Sequence, residues 1–287
     1  MSSAPSSPTV HRRQLGAELR RLRKAAGLGI EQVAHELSCS QTRVSRIETG
    51  KGRYVAKPDE VETLCRLYGV TDDRQVQMLL DMLTNSQKRG WWESYEDVLP
   101  SGLEVYVGLE TTARSERGWE PLLVHGLLQT PEYARAVLQA TPSNRLHDVE
   151  ALVALRLERQ KLLTRPGEPL EFWAILDEAA VRRPVGGPEV MRAQLNHLVE
   201  TAALPNVTVQ VVPTDKGAHP GLGGAFSLLE FLEDDPVVYV DSPAGNLYLE
   251  KKHDVRRFAA TFDLLRAFAL APDESTALVR RVAEEIQ

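Results

Sequence analysis

Two folds are predicted for this chain of 287 residues. The first is an all-α amino-terminal helix-turn-helix bundle of five helices; the second is a larger α+β carboxy-terminal domain with a mostly antiparallel sheet of about five strands. Three observations predict them. The charge is split: Val10 to Lys57 carry eleven Lys or Arg against four Glu, although the whole chain has a net charge of −6. A basic head on an acidic body is the electrostatic footprint of a nucleic-acid-binding module joined to something else. Apolar residues recur at helical spacing through the head. Beyond residue 164 the apolar period shortens from 3.6 to 2, in short runs bounded by Gly, Pro, Asn and Asp.

Composition excludes other classes. Apolar residues make up 43% and charged residues 26%, as in soluble globular domains, and no apolar run approaches the ~20 residues of a membrane-spanning helix. MSSAPSSPT lacks a charged start and an apolar segment, so residues 1–9 are expected to be a disordered tail rather than a secretory signal, and the protein cytoplasmic. Cys39 and Cys65 have no metal-ligand spacing and read as small apolar residues. No metal and no cofactor is expected.

In the head (10–84), Leu15, Leu19 and Leu22 form one face of a first helix that ends near Gly27. IEQVAHEL places Ile30, Val33, Ala34 and Leu37 on one face of a second, too short to stand without neighbours. Ser40 is an N-cap for QTRVSRIE, where Val44 and Ile47 face inward, and Gly50 closes that helix with a positive φ. Pro58 opens DEVETLCRLYG, and a fifth helix covers roughly Asp72 to Leu83. A three-residue break before a helix with polar and basic outward residues is a helix-turn-helix. Its second helix enters the DNA major groove by its amino end, which assigns base reading to Gln41, Thr42, Arg43 and Arg46. Ser40, Ser45, Lys51, Arg53 and Lys57 are assigned to the backbone, contacts that set register but carry no sequence information. The competing reading is a solvated charged face.

Residues 85–100 read as an interdomain segment. Trp91, Trp92 and Tyr95 within it are expected to pack, or alternatively to line a ligand or partner site. In the body (101–287), Thr130-Pro131 starts one helix and residues 148–164 form a long one. LEFWAILDEA, NVTVQVVP, AFSLLEFL, PVVYVDS and NLYLEK read as five strands. A helix lies between the first two, and two more follow the last. Arg182 and Arg183 are expected to be solvated or to form an intramolecular ion pair, or alternatively to attract an anionic ligand, and His219 is placed in a Gly-rich loop as a hydrogen-bonding residue first and a ligand contact second.

Residues 14–69 resemble the xenobiotic-response-element type of helix-turn-helix domain, which includes phage repressors, through GxxLRxLR (Gly16–Arg23), AxxL (Ala34–Leu37) and VSRIExG (Val44–Gly50). In that family Glu48 is structural. A Gln common at the start of the second helix, where it touches the DNA backbone, is Ile30 here. WEPLLVHGLLQTPEYAR (119–135), RxERQ (156–160), DEAAVRRPVGG (177–187), LPNVTVQVVP (204–213) and GAHPG (217–221) together are similar to a family of actinobacterial antitoxin-like transcriptional regulators. The resemblance spans nearly the whole chain. It implies a DNA-binding regulator with a carboxy-terminal domain of unassigned function, often encoded beside a small partner protein.

An enzyme is not expected. Asp177-Glu178 and His219 permit a hydrolase reading, but the chain has no GxSxG elbow, phosphate loop, HExxH or GxGxxG. The expected function is a sequence-specific, double-stranded-DNA-binding transcriptional regulator, a homodimer on paired half-sites, whose body senses a small molecule or small protein. The alternative is an antitoxin-like module that sequesters a partner, with DNA binding for autoregulation.

Overall fold

The computed structural model describes residues 8–50, 56–88, 90–100, 102–140, 148–232, 234–242 and 245–286. It divides into two compact units, 1–93 and 94–287.

The first unit contains α1 (Pro8–Ala25), α2 (Ile30–Glu36), α3 (Gln41–Thr49), α4 (Pro58–Leu67) and α5 (Asp73–Ser86). α1 begins at Pro8, two residues inside the stretch expected to be a tail; a proline is tolerated there because the first helical N–H needs no partner. The rest of that stretch, 1–7, lies outside the described residues. Leu15, Leu19, Val33, Val44, Val61, Leu64, Leu79 and Leu83 meet in one core, each large side chain contributing about 1.5–3 kcal/mol by leaving water. Cys65 is buried in that core, and Cys39 packs partly buried against it. Gly16 sets the approach of α1 to α3, since a Cβ there would lie 2.6 Å from the Ile47 carbonyl oxygen. The segment predicted as a linker begins inside α5 and contains a 3-10 turn, Trp91–Tyr95.

The second unit contains α6 (Leu103–Thr112), β1 (Ser115–Glu120), α7 (Pro131–Ala140), α8 (Val149–Gln160), β2 (Glu171–Asp177), α9 (Glu178–Arg182), α10 (Pro188–Thr201) and β3 (Val207–Val212). β4 (Phe226–Glu230), β5 (Val237–Val240), β6 (Leu247–Leu249), α11 (Lys252–Phe268) and α12 (Pro272–Glu285) complete it. The six strands form one sheet in the order β3-β2-β1-β4-β5-β6. β1 pairs parallel with β2, and β2 with β3, while β1–β4, β4–β5 and β5–β6 are antiparallel.

This corrects the expectation of about five mostly antiparallel strands: among the described residues the sheet is mixed and has six. The extra strand is β1, SERGWE, whose two Glu and one Arg hide it from an apolar pattern although it is central. The parallel pairs follow from the helices between β1, β2 and β3, because a parallel partner is reached only through a crossover. Side chains alternate, so Glu116, Gly118 and Glu120 of β1 share one face with their partners Phe172, Ala174 and Leu176 of β2. On the opposite face Trp119, Ile175, Leu228 and Val238 pack with Phe262 and Leu265 of α11 as an apolar core. Among the described residues no helix is long and apolar enough to cross a membrane.

Candidate functional site

Both ends of α3 are closed by local chemistry. Ser40 Oγ accepts from the Arg43 N–H at 3.2 Å, and Gly50 ends the helix at φ 62°. Val44, Ile47 and Glu48 face the bundle, whereas Ser40, Gln41, Thr42 and Arg46 are exposed and Ser45 is half-buried. Arg46 makes no hydrogen bond or ion pair with the described residues. Arg43 stands apart: its guanidinium pairs with Glu60 of α4. The other Glu60 oxygen accepts from the Lys57 N–H at 2.8 Å, capping α4 beside the exposed Lys57 side chain. Lys51 and Arg53 lie outside the described residues.

Behind this surface Arg23 of α1 donates from Nε and Nη2 to the two Glu48 oxygens at 2.5 and 2.9 Å, and from Nη1 to the Leu28 carbonyl at 2.8 Å. The pair is buried and ties the last turn of α3 to α1. Ile30 packs partly buried against the core, so the position where related domains carry a Gln supplies apolar contact here.

The second unit contains a polar site that the sequence reading did not find. Glu116 and Glu110 are fully buried, as are Tyr106, His125 and Arg159 to within a few per cent. Arg159 of α8 grips Glu110 of α6 with two hydrogen bonds of 2.7 Å, and its guanidinium lies 5.1 Å from the centre of the Tyr106 ring. Such a fork-on-fork pair compensates both buried charges. Tyr106 donates to Glu116 Oε1 at 2.6 Å, and His125 Nε2 lies 3.3 Å from the same oxygen. The Leu127 N–H donates to His125 Nδ1 at 3.2 Å, which makes Nε2 the protonated nitrogen. Burial alone would raise the Glu116 pKa, but the His125 and Tyr106 donors outweigh it and hold the carboxyl below its ordinary range. Burial keeps the Tyr106 phenol protonated, with its pKa far above the usual value.

Of these groups Tyr106, His125 and Arg159 line a cavity of about 610 Å³ at the carboxyl end of β1, beside the start of β4. This is where the strand order reverses, falling from β3 to β1 and then rising from β4 to β6, and crevices beyond carboxyl strand ends at such switch points are where open α/β sheets bind ligands. Leu103, Leu138, Leu152 and Leu155 supply apolar walls, and Glu120 and Arg156 supply charge. Arg156 Nη1 donates to Gln129 Oε1 at 2.5 Å, and Gln129 Nε2 donates to the Val124 carbonyl at 2.6 Å. Burial pushes the Glu120 carboxyl up to about 7 and the Arg156 guanidinium down to about 10.

None of the six residues proposed from sequence for ligand or partner contact lines this cavity. Trp91 and Trp92 pack edge to face with ring centres 6.0 Å apart, and Trp92 is buried. Tyr95 is half-buried. Arg182 pairs with Glu178 and Glu285 at 2.6 and 2.8 Å, and Arg183 is exposed. His219 Nδ1 accepts from the Gly221 N–H at 3.2 Å, its Nε2 lies 3.4 Å from Asp177, and its ring meets Trp119 edge-on. Asp177 also caps α9 through the Ala179 N–H, so this loop is an anchor on the far side of β1.

The sequence did carry one signal for the cavity. Within RxERQ, Arg156, Arg159 and Gln160 fall on one helical face beside Leu152 and Leu155, placing charge inside an apolar stripe. Within WEPLLVHGLLQ, Glu120, His125 and Gln129 come to meet them. Gln160 Nε2 donates to the Gly126 and Gln129 carbonyls at 3.0 and 2.7 Å, so the two motifs are stitched together. Among the described residues no group of three or more His, Cys, Asp or Glu is arranged to hold a metal ion.

Comparison with known proteins gives two matches. A family model described as Domain of unknown function (DUF5753) matches residues 103–281, and a model described as Helix-turn-helix domain matches residues 14–77. No curated protein and no solved structure matches.

Proposed function

The chain belongs to the DUF5753 family and carries a helix-turn-helix domain ahead of that region, and from that premise we propose that it is a sequence-specific transcriptional regulator whose carboxy-terminal domain senses a small molecule. The helix-turn-helix supports DNA binding. The observation that carries the sensing half is the cavity, whose apolar walls meet a buried ionic network at Tyr106, His125 and Arg159. Few convergent polar groups in an apolar, largely preformed pocket are the usual make-up of a small-molecule site.

Gln41, Thr42 and Arg46 read base edges in this proposal, and Ser40, Ser45, Lys51, Arg53 and Lys57 hold the phosphates. Arg43 joins the readers only when DNA draws it from Glu60. A second copy of the chain supplies the other half-site, since paired sites one helical turn apart multiply the affinity of a small module. Effector control requires that the effector bind the DNA-competent and DNA-incompetent arrangements with different affinity. No described feature favours partner sequestration over this reading.

The test is selection of bound duplexes from a random pool by the full-length protein at about 100 and 200 mM salt, where non-specific ionic binding falls away steeply. Enrichment of a two-fold symmetric motif at the higher salt is expected. Recovery of unrelated sequences at both concentrations, with and without cell metabolite extract, would overturn the assignment.

A further inference from the structure

The cavity in the carboxy-terminal unit holds two half-buried charged groups, Glu120 and Arg156, without an ion partner. Among the described residues Glu120 makes no hydrogen bond or ion pair, and Arg156 makes a single hydrogen bond, to Gln129, and no ion pair. Each lies within the other's field without being ion-paired to it. Of the other charged groups there, Arg159 is ion-paired with Glu110, Glu116 Oε1 is held by His125 and Tyr106, and Asp241, which also lines the cavity, is exposed to water. Charges taken from water are ordinarily paired. A cavity that presents one guanidinium and one carboxyl to the same apolar space is complementary to a molecule that brings both opposite charges itself.

We propose that the cavity binds a small zwitterion with an apolar body, an apolar amino acid or short apolar peptide, its carboxylate on Arg156 and its ammonium on Glu120. This rests on the sensor reading above and deepens it by naming the ligand class. The planar guanidinium suits a carboxylate because it offers two parallel donors. A purely anionic ligand leaves Glu120 unanswered, and a purely cationic one leaves Arg156 unanswered. Leu103, Leu138, Leu152 and Leu155 take the apolar body, and about 610 Å³ admits more than one residue of a peptide.

The probe is leucylphenylalanine, compared with its N-acetyl form, which lacks the ammonium, and its carboxamide, which lacks the carboxylate. Each is titrated into the full-length protein by thermal shift and calorimetry. The zwitterion is expected to raise Tm by about 2–5 °C at ten or more times its Kd, and each blocked form to bind at least about tenfold more weakly, the loss of a charge-assisted hydrogen bond. Arg156→Gln should erase the preference for free acid over amide, and Glu120→Gln the preference for free amine over acetyl. Equal binding of all three forms, tighter binding of the acetylated anion, or no binding by any form overturns the ligand assignment; these results use the unaltered chain and do not depend on the variants folding. Adding the selected operator duplex separates the two claims. Zwitterion binding that leaves operator affinity unchanged keeps the ligand and refutes the sensor, whereas an operator response to a different small molecule alone does the reverse.

Discussion

Replacing Arg23 with Met tests whether the buried ion pair behind α3 holds that helix in place. The guanidinium donates two hydrogen bonds to Glu48 and one to the Leu28 carbonyl, and Glu48 is only 5% exposed. Met roughly keeps the volume, so little cavity cost arises. What remains is a buried carboxylate without its cation, which costs about 3–5 kcal/mol when one member of such a pair is removed. At 1.36 kcal/mol per factor of ten, that is roughly a 150- to 5,000-fold loss of amide protection. Native-state hydrogen exchange of the peptide covering residues 41–49 reads it directly, separately from the carboxy-terminal unit. The double variant Arg23→Met/Glu48→Leu should recover most of the loss, because the stranded charge is gone. Protection that falls less than tenfold in the single variant, or a double variant no better than the single, would refute this reasoning.

Other outcomes follow from the same geometry. Arg46→Ala should cost about 1–3 kcal/mol on the selected operator and little on random duplex, while Lys57→Ala weakens both alike and lowers the salt slope by about one; anisotropy titrations at several salt concentrations distinguish them, and equal losses for Arg46→Ala would remove it from base reading. Gly16→Ala places a Cβ 2.6 Å from a backbone oxygen of α3, an overpacking cost of about 1–3 kcal/mol against a helix-propensity gain near 1. Urea denaturation should show a net loss, and a gain would mean that the helices are less closely apposed. Glu120→Gln tests the cavity acid. Its folded pKa of about 7 lies above the unfolded value, so the stability tied to its protonated form is present below the unfolded pKa and is lost as pH rises through 7. The variant should therefore match the parent near pH 4 and exceed it at pH 8 by about 1–3 kcal/mol, the upper end discounted because the side chain is only half-buried. Glu116, His125, Asp241 and Arg156 also act on this carboxyl, and their effects are contained in its shifted value; identical denaturation curves at pH 8 would show that Glu120 is fully hydrated.

The helices of the head were legible because their information is local: Ser40, Gly50 and Pro58 mark ends, and Leu15, Leu19 and Leu22 mark a face. Five of the six strands were legible for the same reason. β1 was not, because Glu116 and Arg117 break its apolar pattern and its position is justified only by partners more than fifty residues away. The cavity was hidden by the same kind of distance. Its residues stood in quoted motifs, but that Glu110, Glu116, His125 and Arg159 are buried together is a property of the fold and not of their spacing. His219 drew notice for its Gly-rich loop, a setting that in three dimensions consumes both ring nitrogens.

The placement of β1 at the middle of the sheet has a consequence in time. The strand is complete at residue 120, yet its parallel neighbour ends at Asp177 and its antiparallel neighbour at Glu230. At roughly 5–20 residues per second of synthesis, its second edge waits about 5–20 s for a partner. Pairings so distant in sequence also close slowly, whereas a bundle of short helices forms quickly from near neighbours. On the ribosome the amino-terminal bundle is thus finished while Glu116 and Glu120 still face water, and the domain proposed to sense the effector matures only after the domain proposed to bind DNA.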